Sequence, residues 1–134
     1  MDLHTVSTAA LAYLGDAVLE IMVRTRLVEE GLSSSKALNA AARAFVSAPA
    51  QARAMEGLLP HLTEEELGYF RRGRNIGHTN TPRSATVSQY RAATGMEALF
   101  GFLQLSGNEK RAKELFLLAY PVEEAGDLKQ TEEH

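Results

Sequence analysis

Apolar residues recur at helical spacing from one end of this chain to the other, and no segment sustains the alternation with β-branched content that a strand needs. The sequence therefore predicts an all-α fold of about six helices. A first long helix is expected from about Ser7 to Glu30, with Leu11, Leu14, Val18, Ile21, Met22 and Thr25 on a wide, mostly apolar face and Gly31 as its stop. Its middle, LAYLGDAVLEIMV, is apolar almost all round, which demands a central place covered by several neighbours or by a second subunit.

The cluster Ser33-Ser34-Ser35 predicts the cap of a second helix carrying Leu38, Ala41, Ala42 and Phe45. Ser47, just ahead of Ala48-Pro49, reads as a fresh N-cap, so a third helix follows and ends near Leu59-Pro60. Thr63 with Glu66 forms a capping box for a fourth helix through about Arg72, closed by Gly73. GRNIGHTNTP, from Gly73 to about Pro82, has turn-forming residues and no periodicity, so it reads as a loop. A fifth helix is expected from about Ala85 to Leu105, with Val87, Tyr90, Met96, Leu99, Phe100 and Leu103 inward and Gly107 as its stop. A sixth covers about Asn108 to Tyr120. Residues 1–120 thus make one domain, and the acidic stretch 121–134 is expected to fray.

A length of 134 residues with 45% apolar content suits one core. There is no cysteine, no apolar run long enough to span a bilayer, and no basic start of the secretory kind, so a cytoplasmic, membrane-free protein is expected. The formal charge of -3 argues against a general nucleic-acid binder, but the distribution says more. From Leu67 to Met96 there is no acid, while Arg71, Arg72, Arg74, Arg83 and Arg91 all fall there.

Asp16 and Glu97 each sit mid-helix in apolar surroundings, where an ionised carboxylate is costly unless paired or bound to metal. Two carboxylates on two core helices can make a bundle-type metal site, and their oxygens suit Mg²⁺, which keeps several waters. Structural roles explain them equally well at this level: for Asp16 an exposed position on its helix or a pair with an arginine of a neighbouring helix, and for Glu97 a buried salt bridge to Arg24 or Arg91. Glu20 shares a helical stripe with Asp16 and Arg24, and an intrahelical pair with Arg24 is its expected role. The block Arg71-Arg72-Gly73-Arg74-Asn75 reads as a phosphate-contacting surface continued by His78 and Arg83, with Asn75, Thr79, Asn80 and Thr81 as further donors. Arginines capping a helix C-terminus account for one or two of these, not for all. The four histidines show no zinc spacing, and no phosphate loop or nucleophile elbow is present.

These residues line up with a known family. Ala12 to Glu20, with its Leu-Gly-Asp-Ala-Val core, resembles the signature helix of the ribonuclease III fold, and Met96-Glu97-Ala98-Leu99-Phe100-Gly101 resembles the second signature. VSAPAQA at Val46 to Ala52, TEEE at Thr63 to Glu66 and RRGRN at Arg71 to Asn75 are similar to the Mini-ribonuclease III branch. The likeness runs from about Ala9 to Leu115. It departs from full-length ribonuclease III enzymes at Ala12 and Thr94, where those carry a Glu and an Asp; within the Mini branch Ala and Thr look normal there. Ile76 also stands where Ala is usual, and Pro49 where Lys is usual.

The resemblance implies an endoribonuclease that cuts double-stranded RNA, with maturation of large-subunit (23S) ribosomal RNA as its bacterial task, acting as a homodimer without a separate double-stranded-RNA-binding domain. It implies Mg²⁺ as cofactor, Asp16 and Glu97 as catalytic metal ligands, and in-line displacement giving 5′-phosphate and 3′-hydroxyl ends. Two sites related by a two-fold axis would make staggered cuts across a minor groove. Tyr13 and Leu14, beside Asp16 on the apolar first helix, are the expected subunit contact. A ribosomal protein presenting the substrate is a further expectation, because the electrostatic footprint is modest. The rivals are a non-catalytic RNA-binding dimer of the same fold, in which the missing carboxylates preclude metal, and a helical adaptor for proteins alone.

Overall fold

The computed structural model describes residues 1–76 and 85–122. They form six α-helices, α1 (Thr8–Glu29), α2 (Ser35–Val46), α3 (Ala48–Leu58), α4 (Glu64–Arg74), α5 (Val87–Leu105) and α6 (Glu109–Ala119), with short 3-10 turns at Leu3–Thr5 and Leu59–His61. No strand occurs among the described residues, and no helix there is long and apolar enough to cross a membrane. Of the expected tail, residues 123–134 lie outside the described residues.

The caps expected at Ser34, Ser47 and Thr63 are present, and Ser7 and Asn108, expected only near helix starts, prove to be caps as well. Ser7, Ser34, Ser47 and Asn108 each accept a backbone N–H in the first turn of the helix that follows, and Thr63 with Glu66 closes a complete capping box. A second complete box, Thr86 with Gln89, starts α5 two residues later than the apolar pattern suggested. Gly31 at φ +95° and Gly107 at φ +74° take left-handed conformations that end α1 and α5. Gly73 behaves differently. It lies inside α4, buried, where a Cβ would come within 2.7 Å of the Gly95 Cα on α5. Its small size permits close packing; it does not end the helix, which runs on to Arg74.

The central element is α5, against which α1, α3 and α4 all pack. Met96, Leu99, Phe100 and Leu103 are fully buried there, as expected, whereas Val87 at the exposed first turn is 50% accessible. The inward face of α1 also differs from the expected one. Leu11, Leu19, Val23 and Leu27 line the core around Gly15, while Ile21 is 67% exposed and Thr25 points to solvent. A helix apolar nearly all round gives no phase, so periodicity could not select which stripe faces α5. Arg26 is buried beside that stripe. Its guanidinium lies over the Phe116 ring at 4.6 Å and donates to the Tyr120 carbonyl at 2.6 Å, while the Tyr120 hydroxyl donates to the Phe45 carbonyl at 2.7 Å. These contacts fasten the end of α6 to α1 and α2.

Glu66 does more than cap. Its buried carboxylate accepts from the Thr63 N–H at 2.9 Å and from Arg111 Nε and a terminal nitrogen at 2.8 Å each, and Arg111 also reaches the His61 carbonyl and the Glu114 carboxylate. The bridge ties the start of α4 to α6. The hydrogen bonds from Arg111, chiefly, hold the Glu66 carboxyl below its ordinary range despite burial. A depressed folded-state value gives stability that is present above the unfolded value, about 4.5, and is lost as pH falls through the folded value. Arg111→Met is therefore expected to lower stability at neutral pH by roughly 3 kcal/mol, by leaving a buried carboxylate unpaired. It should also reduce the fall of melting temperature between pH 5 and pH 3; equal slopes in variant and parent would refute the linkage.

Candidate active site

The placement of the two signature carboxylates begins with glycine. A Cβ built on Gly15 would lie 1.6 Å from the Glu97 carbonyl oxygen, and one on Gly101 would lie 1.9 Å from the Leu11 carbonyl oxygen. The backbones of α1 and α5 therefore touch at two reciprocal points. Asp16 follows the first contact directly and Glu97 forms its other side, so the crossing brings the two carboxyl groups together.

Their electrostatics record the closeness. Burial, then the Asp16 charge and a hydrogen bond with Asp16, push the Glu97 carboxyl up to about 8. Glu97 is half-buried, whereas Asp16 faces solvent. The apolar enclosure expected around Asp16 is thus a correction: the apolar neighbours sit on other faces of α1. No ion pair to either carboxylate exists among the described residues. Arg24 bonds Glu20 instead, Nε to carboxylate at 2.9 Å, as the helical stripe predicted. Arg91 is exposed and has no carboxylate partner among the described residues. A bridge from Glu97 to Arg24 or Arg91 does not occur among the described residues, whereas Asp16 does take the exposed helix position that was one of its structural alternatives.

Ala12 and Thr94, each one turn before a signature carboxylate, add no ligand oxygen of acidic type. The Thr94 hydroxyl is turned back to the Tyr90 carbonyl at 3.1 Å. Among the described residues no cluster of three or more His, Cys, Asp or Glu side chains could hold an ion. The donor set is two carboxylates open to solvent on one side. That fits a hard cation that keeps most of its waters, and it does not fit a closed cage for zinc.

The arginine block occupies the last turn of α4, and its members diverge. Arg72 donates from Nε to the Thr8 hydroxyl at 3.1 Å and from a terminal nitrogen to the Val6 carbonyl at 2.8 Å, with its guanidinium 5.1 Å over Tyr69. Tyr69 stacks on Phe102 at 4.0 Å, so Arg72 bolts the entry of α1 onto the core. Arg74 lies over Phe70 and donates to Asn75 at 3.3 Å. Arg71, Arg74 and Asn75 are exposed, and the Arg71 guanidinium makes no hydrogen bond or ion pair with the described residues. His78, Thr79, Asn80, Thr81 and Arg83 lie outside the described residues.

Tyr13 is 85% exposed and Leu14 half-buried. With Ala17 and Ile21 they form an open apolar strip on α1, flanked by two grooves of about 260 and 500 Å³ against α6. Ile21, expected on the inward face of the first helix, and Leu117 on α6 also belong to this surface. The signal was the excess of apolar residues around α1 beyond what one core stripe needs.

Comparison with known proteins bears on the same residues. The Ribonuclease III domain family matches residues 9–108. The chain is 43% identical over 122 residues to Mini-ribonuclease 3 of Symbiobacterium thermophilum, covering 91% of this chain and 94% of that protein. It is 41% identical to Mini-ribonuclease 3 of Brevibacillus brevis, covering 92% of each. An X-ray crystal structure of a Fusobacterium nucleatum protein superposes with a TM-score of 0.82 at 30% identity, over 91% of this chain and 99% of that one.

Proposed function

This chain belongs to the ribonuclease III family, in its Mini-ribonuclease 3 branch, and is an endoribonuclease; from that footing we propose that it cuts double-stranded RNA with Mg²⁺ held by Asp16 and Glu97. The observation that carries the proposal is the meeting of these two carboxylates at the Gly15 and Gly101 crossing without a cation from the described residues to offset them. An ion held by Asp16 and Glu97 would supply an activated water and would offset charge on the attacked phosphate. Asp16 and Glu97 fix the ion; Arg71, Arg74 and Asn75 stand by for the RNA backbone, together with His78 and Arg83. Arg72 holds the start of α1, and so supports the helix that carries Asp16.

The exposed strip of Tyr13, Leu14, Ala17 and Ile21 supports a homodimer, since a single chain leaves it facing water. Two sites related by the dyad would cut opposite strands with a stagger. Precursor of the large-subunit (23S) ribosomal RNA in the cytoplasm is the substrate we assign, presented by a ribosomal protein that makes up for the small arginine footprint. Incubation with a long RNA duplex, with and without Mg²⁺, tests the core of this reading. Metal-dependent fragments with 5′-phosphate and 3′-hydroxyl ends are expected; cleavage that persists in chelator would refute it. The presentation step predicts slower cutting of protein-free precursor than of the assembled particle at physiological salt.

The Glu97 shift adds a measurable linkage. Below about pH 8 the metal-free site holds a proton on Glu97, and binding of a cation must displace it. Mg²⁺ titration at pH 7 is expected to release close to one proton per site, with affinity rising about tenfold per pH unit from pH 6 to pH 8. Affinity independent of pH over that range would show that Glu97 carries no proton to displace there.

A further inference from the structure

The arginine block is not the chain's one acid-free stretch. Gly31 to Met55 carries Lys36, Arg43 and Arg53 and no Asp or Glu, and it spans α2 and most of α3. Between α1 and α2 lies a groove of about 470 Å³ lined by Arg24, Arg43, Ser35, Asn39 and Glu20 over a floor that includes Leu38. Its single acid, Glu20, is neutralised by Arg24 at 2.9 Å. Arg43 is exposed, and no carboxylate among the described residues pairs with it. The amphipathic α2 has no fully buried residue, so its polar groups are available along its length.

Position relative to the carboxylate pair gives this groove meaning. Asp16, Glu20 and Arg24 follow one another at four-residue intervals on the same stripe of α1, so the groove continues the surface on which Asp16 sits. At 1.5 Å rise per residue, Arg24 stands about 12 Å from Asp16 along the helix axis. The arginine block is anchored at Thr8, about 12 Å from Asp16 in the opposite direction. The groove, with Arg43 as its uncompensated guanidinium, and the arginine block therefore lie on opposite sides of the carboxylates along α1.

We infer that the α1–α2 groove is a second subsite for the RNA backbone, in which Arg43 contacts phosphate and Ser35 and Asn39 donate to phosphate or ribose oxygens. The inference rests on the nuclease reading above and names a further part of its substrate surface. Charge complementarity selects the occupant: with Glu20 offset by Arg24, the uncompensated Arg43 guanidinium and the small hydroxyl and amide donors match a polyanion carrying 2′-hydroxyls. A strand crossing the carboxylates would then be held at both ends, which fixes the scissile phosphate more firmly than the arginine block alone.

The test is duplex binding by the full chain in EDTA, read by fluorescence anisotropy across a salt series. Arg43→Glu is expected to weaken binding about tenfold at 0.1 M salt, and Arg43→Ala to lower the slope of log affinity against log salt by about one per contacting groove. Arg43→Lys should preserve the slope. Arg53→Ala, on the same acid-free stretch but outside the groove, should have the smaller effect. Unchanged affinity in Arg43→Glu overturns the inference, as does an equal loss in Arg53→Ala, which would mean diffuse charge. Dissociation of a dimer by Arg43→Glu in sedimentation also overturns it, because the groove would then belong to a second copy. None of these outcomes touches the nuclease reading, which fails separately if Asp16→Asn still cuts.

Discussion

Asp16→Asn is expected to lower single-turnover cleavage of an RNA duplex by at least about a thousandfold while leaving duplex affinity in EDTA within about twofold. Asn has the volume of Asp and keeps the same place on an exposed face of α1, so the fold has no reason to respond. What disappears is one of the two carboxylates to which the proposed site assigns the ion. With Ala12 and Thr94 contributing no acid, no third carboxylate in the described site compensates. Glu97→Gln should abolish cleavage equally and, unlike Asp16→Asn, change how stability depends on pH. A raised folded-state value means that the native protein holds a proton between about pH 4.5 and pH 8 that the unfolded chain has released. Stability of the metal-free protein therefore falls as pH rises through that window, and Gln removes the fall. Thermal melts at pH 6 and pH 8.5 should show the parent losing more than Glu97→Gln. Wild-type cleavage by either variant would end the two-carboxylate mechanism.

Gly15→Ala is expected to lower stability by about 3 kcal/mol or more, a drop of roughly 10 °C in melting temperature. The added methyl carbon would sit 1.6 Å from the Glu97 carbonyl oxygen, a backbone atom that cannot turn aside, so α1 and α5 must separate. Separation of about 1 Å also moves Asp16 from Glu97, and surviving folded protein should cut about a hundredfold more slowly. Gly68→Ala is the control. Gly68 is exposed within α4 with nothing within 4 Å of a Cβ, so the substitution should raise stability by about 0.5–1 kcal/mol through helix propensity. If both variants melted alike, close approach of the helices would not be what Gly15 provides.

Legibility in the sequence followed the range of the forces involved. Ser7, Ser34, Ser47, Thr63 and Asn108 cap helices through bonds spanning three residues, and each boundary they announce stands within a residue or two. Asp16 and Glu97 were legible as candidates because charged groups in apolar helices need a reason. The phase of α1 was not legible, since its apolar residues outnumber one core stripe. Arg72 read as a phosphate contact, yet its anchors on Val6 and Thr8 lie more than sixty residues away in the chain. Arg111 with Glu66, 45 residues apart, and Arg26 with Tyr120, 94 apart, are likewise long-range pairings.

The sequence by itself determined the helical class, the helix ends and the family, because hydrophobic period, capping chemistry and signature motifs are local properties of consecutive residues. Only the tertiary structure decided which face of α1 is buried, that Asp16 faces water while Glu97 is half-enclosed, and which arginines are already committed. Those outcomes depend on how closely two backbones can approach, and that distance is set at Gly15 and Gly101 by packing between helices far apart in the chain.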